Sequence, residues 1–265
     1  MTLPRVIVTR PAQEAQRWVR DLRARGFAAE ALPLIAILPV VDAEVCAALQ
    51  QARAQIGSYQ AVMFVSGNAA RYFLDADLSG APLAATQTRA WATGPGTALA
   101  LAQAGWPRAR IDAPEAEGLA DSEALWARVQ GQIQSGMRVL IVRGGDAAGH
   151  PAGRAWLADQ LAVAGAQVRT VAAYRRAPPA WDTPQQALAR AAVQDGSLWL
   201  ISSSEAAANL NALVRELTPS LTLQDAHALA THPRIVRAAR AAGFGMVAES
   251  QSALDAVIRS IESFA

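Results

Sequence analysis

The sequence contains no lysine: all 24 of its basic residues are arginine. A pyridoxal phosphate Schiff base, a Schiff-base aldolase and a Walker P-loop each need a lysine amine at a fixed place, so none of these chemistries is available to the chain. Cysteine is almost as scarce. Cys46 stands alone, which excludes an internal disulfide, a CxxC redox pair and a cysteine-based zinc site and agrees with a reducing compartment. The three histidines, His150, His227 and His232, show no HExxH spacing, and no metal is expected. Long hydrophobic runs are missing as well. The opening apolar run, Val6-Ile7-Val8, is too short for a signal peptide or a membrane span, so a cytoplasmic protein with no membrane partner is expected. The net charge is only +2 despite a pI of 9.2. Acidic residues are interspersed with the arginines, and no basic helix, aromatic RNP-like run or zinc knuckle accompanies them, so no nucleic-acid partner is expected.

What is present is apolar and periodic. At 265 residues and 52% hydrophobic, the chain can bury a sizeable core, in one large domain or two smaller ones. Short apolar runs alternate with Ala/Leu/Arg stretches of helical period, the pattern of parallel strands and crossover helices. Strands are predicted over 5–9, 61–66, 89–93, 138–143, 168–174, 198–202 and 228–231. Three segments recur at an offset of about 135 residues. Arg5-Val-Ile-Val-Thr-Arg10 matches Arg138-Val-Leu-Ile-Val-Arg143, and Val62-Met-Phe-Val-Ser66 matches Leu198-Trp-Leu-Ile-Ser202. The third pair is Ala92-Thr93-Gly94-Pro95 with Ala230-Thr231-His232-Pro233. Three matches in the same order imply a duplicated unit of strand, polar turn, helix, glycine and strand.

That unit predicts an α/β fold: two doubly wound parallel-sheet domains, flavodoxin-like or Rossmann-like, joined by a two-stranded extended linker. The Pro-bearing stretches around residues 32–39 and 172–179 fall where the unit hands over. They set the expected boundaries: 1–36 plus 176–265 as one discontinuous domain, 40–172 as the other, and 37–39 and 173–175 as linkers. Gly26, Gly105, Gly165 and Gly243 end the predicted helices and read as left-handed C′ residues.

In open parallel sheets the ligand lies beyond the carboxyl ends of the strands, and here a cleft between the two lobes is the expected site. The turns at those ends carry Thr9, Arg10 and Pro11; Ser66, Gly67 and Asn68; Gly94 and Thr97; Arg143 and Gly144; Ser202, Ser203 and Ser204; and Thr231 and Arg234. Small, hydroxylated and cationic residues at helix N-termini suit carboxylates and phosphates. Ser66, Asn68, Ser203, Ser204 and Thr97 are equally ordinary N-cap candidates. No Ser-His-Asp order, paired-carboxylate motif or complete GxGxxG accompanies them.

The same turns carry a resemblance. Thr9-Arg10-Pro11, Val65-Ser66-x-Asn68-Ala69, Gly94-Pro95-x-Thr97-Ala98, Val139-Leu-Ile-Val-Arg143-Gly144, Ala173-Tyr174-Arg175 and Ile201-Ser202-Ser203 resemble, in order and spacing over nearly the whole chain, the uroporphyrinogen-III synthases of the tetrapyrrole pathway. The resemblance implies a cofactor-free, monomeric enzyme whose small-molecule substrate is the linear polycarboxylate hydroxymethylbilane. Ring D is inverted through an azafulvenium and a spiro intermediate, and water is released. It also implies that Tyr174 assists departure of the hydroxyl, and a transient contact with hydroxymethylbilane synthase, the preceding deaminase. One turn departs from the family pattern: Thr231-His232-Pro233-Arg234 stands where a Gly-x-x-Thr-Ala turn is usual, leaving Arg234 as a substitute anion contact or as a wall of the cleft. The residues by themselves also admit a non-enzymatic two-lobed binding protein, or a regulatory module, for an anionic small molecule.

Overall fold

Strands such as Leu198-Trp199-Leu200-Ile201 are apolar at every position, which a sheet accommodates only when both its faces are covered. The computed structural model describes residues 3–74, 87–114 and 122–264. It divides the chain into two units, Met1–Ala36 with Pro178–Ala265, and Ile37–Ala177.

The first unit holds a five-stranded parallel sheet of β1 (Val6–Val8), β2 (Ala29–Ala31), β9 (Leu198–Ile201), β10 (His227–Ala230) and β11 (Met246–Glu249), in the order β11-β10-β9-β1-β2. Helix α1 (Ala12–Arg23) covers it with a stripe at i, i+3, i+4 and i+7, namely Ala15, Trp18, Val19 and Leu22, all buried. Val257 and Ile261 of α10 (Leu254–Glu262) join the same core against Val6, Val8, Leu198 and Leu200. Trp199 alternates away from Leu198, and its indole N–H donates to Ala192 O of α7 (Thr183–Gln194) at 3.1 Å. Helices α8 (Ser204–Leu217) and α9 (Pro233–Ala242) follow β9 and β10.

The second unit is a six-stranded sheet of β3 (Ala36–Leu38), β4 (Ala61–Phe64), β5 (Arg89–Ala92), β6 (Ile111–Asp112), β7 (Arg138–Gly145) and β8 (Gln167–Ala177). Its order is β3-β8-β7-β4-β5-β6, with parallel pairing from β8 to β6. Residues 37–38 and 173–175 lie in its strands β3 and β8. One face packs Val62, Phe64, Leu140 and Val142 against residues of α2 (Ala43–Ala54), α3 (Gly67–Phe73) and α4 (Pro95–Gln103). Phe64 there meets Phe73 and Trp106 edge to face, with centroids 5.7 Å apart in both pairs. The other face packs Met63, Trp91, Val139 and Ile141 against α5 (Ser122–Val129) and α6 (Trp156–Val163).

The sequence repeats equate β1 with β7, β4 with β9 and β5 with β10, and the equated strands occupy equal places in the two sheets. The order β11-β10-β9-β1-β2 reads directly onto β6-β5-β4-β7-β8. Among the five matched strands, each sheet therefore takes two from one copy of the duplicated sequence and three from the other, and β3 is the extra sixth strand of the second sheet. The α/β class with two parallel sheets is the one expected. Gly26, Gly105, Gly165 and Gly243 have φ of +85°, +89°, +86° and +105°, the left-handed geometry that ends a helix without a Cβ penalty.

Candidate functional site

Strands β7 and β8 pair in simple register as far as Arg143 and Ala172, then slip by one residue, so that Gly144 stands opposite Tyr174. A bulge of this kind re-aims the side chains that follow it. Here it turns the Tyr174 ring onto the backbone of Gly144: a Cβ built on Gly144 would lie 2.6 Å from Tyr174 Cζ and 2.7 Å from its Cε2 and hydroxyl oxygen. Tyr72 of α3 leans on the ring with centroids 5.7 Å apart, and its own hydroxyl donates to Ile37 O at 2.9 Å. Tyr174 is only 6% exposed. Its hydroxyl oxygen lies 3.3 Å from Ser66 Oγ.

Ser66 has a second duty. As N-cap of α3 it accepts the Ala69 amide proton at 3.1 Å, which fixes the position of its oxygen. The result is a phenol held by a glycine beneath it, a tyrosine beside it and a capped serine at its tip. Gly67 and Asn68 open α3; Asn68 Oδ1 accepts from Arg71 at 2.6 Å. At the end of β5, Gly94 is the N-cap of α4 without a side-chain hydrogen bond, and Pro95 is its first residue. Thr97 is therefore not a cap. It is buried at the third helical position and donates its amide to Gly94 O at 3.1 Å. Thr93, one residue past β5, ties that end to Val65 O at 3.1 Å.

The structure brings Ser66, Gly144 and Tyr174 together but sends Arg143 to the opposite face of the sheet. Arg143 follows Val139 and Ile141 toward α5 and α6, where it lines a cavity of about 210 Å³ with Thr93, Ser122 and Arg154. Burial, then the neighbouring Arg176, push its pKa below the ordinary arginine value, while Tyr174 opposes the shift. Sequence reasoning passed over Arg154, which lies at the end of the loop after β7. That loop is organised by Asp146, whose Oδ1 accepts from the amides of Ala148, Gly149 and His150 at 2.9 to 3.0 Å. His150 is exposed.

In the first unit the candidates are mostly engaged locally. Thr9 is buried and donates to Leu200 O at 2.7 Å, joining β1 to β9. The Arg10 guanidinium lies 4.3 Å from the Trp18 ring centroid and 3.4 Å from Glu14 on α1, and burial lowers its pKa more than Glu14 raises it. Pro11 is the N-cap of that helix. Ser202 follows β9 and is half-buried; Ser203 caps α8 by accepting from Glu205 N at 3.2 Å. Ser204 Oγ is buried with no hydrogen-bond partner among the described residues. Thr231 is half-buried, and Arg234 is exposed on the first turn of α9. His232 supplies that helix's cap, its Nδ1 accepting from Arg234 N at 3.0 Å.

Among the described residues no helix is long and apolar enough to cross a membrane, and no group of three His, Cys, Asp or Glu is placed to hold a metal ion. The sequence profile described as Uroporphyrinogen-III synthase HemD matches residues 16–258. A uroporphyrinogen-III synthase of Chlorobaculum parvum (strain DSM 263 / NCIMB 8327) is 27% identical over 184 residues, 68% of this chain and 67% of that protein. Among solved structures, uroporphyrinogen-III synthetase from Helicobacter pylori 26695 aligns with a TM-score of 0.58 at 13% identity, over 99% of this chain and 100% of that one. A mutant uroporphyrinogen III synthase from the extremely thermophilic bacterium Thermus thermophilus aligns with a TM-score of 0.51 at 20% identity, over 98% of both chains.

Proposed function

The chain belongs to the uroporphyrinogen-III synthase family, enzymes of tetrapyrrole biosynthesis, and from that premise we propose that it closes hydroxymethylbilane to uroporphyrinogen III with Tyr174 as the group that assists hydroxyl departure. What carries the assignment of Tyr174 is its tip: a phenol hydroxyl 3.3 Å from Ser66 Oγ at the carboxyl ends of β4, β7 and β8. A phenol is neutral at pH 7 and donates a proton without an ionised partner. Tyr174 gives its proton to the terminal hydroxyl of the bilane, which leaves as water while the pyrrole nitrogen supplies the electron pair, and an azafulvenium cation results. Attack of that cation on the substituted carbon of ring D gives the spiro intermediate. Fragmentation and recyclisation invert the ring, and the proton then lost from carbon restores the phenol. Substrate and product thus differ by one water, and no cofactor enters the balance.

General-acid help of this kind accelerates a step by about 10²- to 10⁴-fold, whereas fixing a flexible chain for ring closure addresses a larger orientation term. Conformational control is therefore the larger share of the proposed catalysis. Its contacts are the strand-end residues of each unit: Ser66, Gly67, Asn68, Gly94, Thr97 and Gly144 in one, and Thr9, Arg10, Pro11, Ser202, Ser203, Ser204, Thr231 and Arg234 in the other. Amides at the starts of α3, α4, α8 and α9 suit the acetate and propionate groups of the substrate. The reading extends to a cytoplasmic monomer that meets hydroxymethylbilane synthase transiently. Cys46, whose thiol lies 3.4 Å from Val40 O, stays reduced there.

The test is incubation of the purified chain with freshly made hydroxymethylbilane and resolution of the product isomers. Isomer III in excess is expected. Isomer I alone, the product of spontaneous closure, would remove the enzyme reading.

A further inference from the structure

The cavity behind Arg143 lies on the sheet face turned away from Tyr174, and its chemistry is cationic. Arg143 reaches into it from the end of β7, Arg154 stands at its rim, and Ser122 and Thr93 add hydroxyl groups to its wall. Arg143 forms no ion pair among the described residues, and its Nε is buried without a hydrogen-bond partner. Arg154 does have a carboxylate partner, Glu123, so the cavity carries one excess positive charge from these three groups. The guanidinium of Arg143 is also held in place. A Cβ on Gly153 would collide with Arg143 Nη2, and Gly153 has φ of +113°, so the loop closes over the arginine at a position suited to glycine.

A partly desolvated guanidinium with an unmet donor costs free energy that a bound anion offsets. Planar forks of this type match the oxygens of carboxylates and phosphates. A volume of about 210 Å³ accepts a group of that size and excludes a whole tetrapyrrole. We propose that Arg143, Arg154 and Ser122 form a binding pocket for one small oxyanion, a carboxylate or a phosphate, separate from the face that carries Tyr174. Naming a substrate carboxylate as one source of that anion rests on the function proposed above; the pocket does not.

The test is an NMR titration of the full-length chain, following the arginine Nε–Hε signal that disappears in Arg143→Gln, with inorganic phosphate and propionate as probes. A saturable shift is expected, with affinity about tenfold weaker in Arg154→Gln, the loss of roughly one charge-assisted hydrogen bond. Arg154 is 60% exposed, so this variant leaves the fold intact. A shift that does not saturate, or that is unchanged in Arg154→Gln, overturns the proposal. Steady-state assays then separate the sources. Phosphate that raises KM for hydroxymethylbilane at constant kcat identifies a substrate carboxylate as the natural occupant, and phosphate that binds with KM unchanged identifies a free anion. A chain that makes no isomer III yet shows the saturable shift would defeat the synthase reading and leave the pocket standing.

Discussion

Replacing Gly144 by alanine tests whether the bulge between β7 and β8 exists to seat a reactive phenol. The backbone at this position needs no left-handed geometry, since Gly144 is absent from the positive-φ glycines, so the effect of the new methyl is steric. It would arrive 2.6 Å from Tyr174 Cζ, where carbon atoms rest at about 3.5 to 4.0 Å. The end of the ring must therefore retreat by about 1 Å, which takes the hydroxyl away from Ser66. A misplacement of about that size at a reacting centre costs on the order of 10²-fold in rate. Overpacking of a filled site costs about 1 to 3 kcal/mol in stability, a few degrees in Tm for a chain of this size. The assay is the initial rate of isomer III formation from hydroxymethylbilane, with thermal unfolding measured in parallel. Gly144→Ala is expected to lose about 10²-fold in kcat, and in a Tyr174→Phe background the same substitution is expected to cost less than about threefold, because the hydroxyl it displaces is already gone. Full activity in the single variant, or an equal loss in both backgrounds, would refute the reasoning.

Three other outcomes follow from the same geometry. Ser66→Ala removes both the neighbour of the Tyr174 hydroxyl and the cap on Ala69 N, so it should lower kcat about tenfold and destabilise by about 1 kcal/mol, with Ser66→Thr restoring most of both. His232→Asp places a better capping acceptor at the positive end of α9 and should raise the unfolding free energy by about 0.5 to 1 kcal/mol in denaturant titrations. The Arg154 hydrogen bond, first among its causes, holds the Glu123 carboxyl below the ordinary glutamate range. The pair should thus persist as pH falls through the unfolded value and release only below it, and a ¹³C titration of Glu123 should move up toward the ordinary value in Arg154→Gln.

Most of the strands that the sequence announced are buried on both faces. Val6–Val8, Arg89–Ala92 and Leu198–Ile201 are short apolar runs before a polar turn, and each forms a strand at or within one residue of that run. Ala29–Ala31, Ile111–Asp112 and Met246–Glu249 lie on sheet edges and carry Glu30, Asp112 and Glu249, and the first two had no apolar run to mark them. The repeat was legible for the same reason, since β1, β4 and β5 reappear as β7, β9 and β10 with their apolar residues kept. At the site, the turn residues could be read but their partners could not. Arg143 and Gly144 are neighbours in sequence, and alternation along a strand puts them on opposite faces. The one-residue slip that brings Tyr174 over Gly144 has no signature in either strand alone. His232 shows how a missing hydroxylated residue can mislead, because its imidazole takes over the cap.

The most direct measurement of the central claim is the rate and isomer composition of product from Tyr174→Phe, which keeps the ring over Gly144 and against Tyr72 and removes only the hydroxyl. The account predicts an unchanged fold, a loss of about 10²- to 10⁴-fold in the rate of isomer III formation, and isomer I rising to dominate as spontaneous closure overtakes the enzyme. Turnover to isomer III within about threefold of the parent would contradict it and leave Tyr174 as a packing residue of β8.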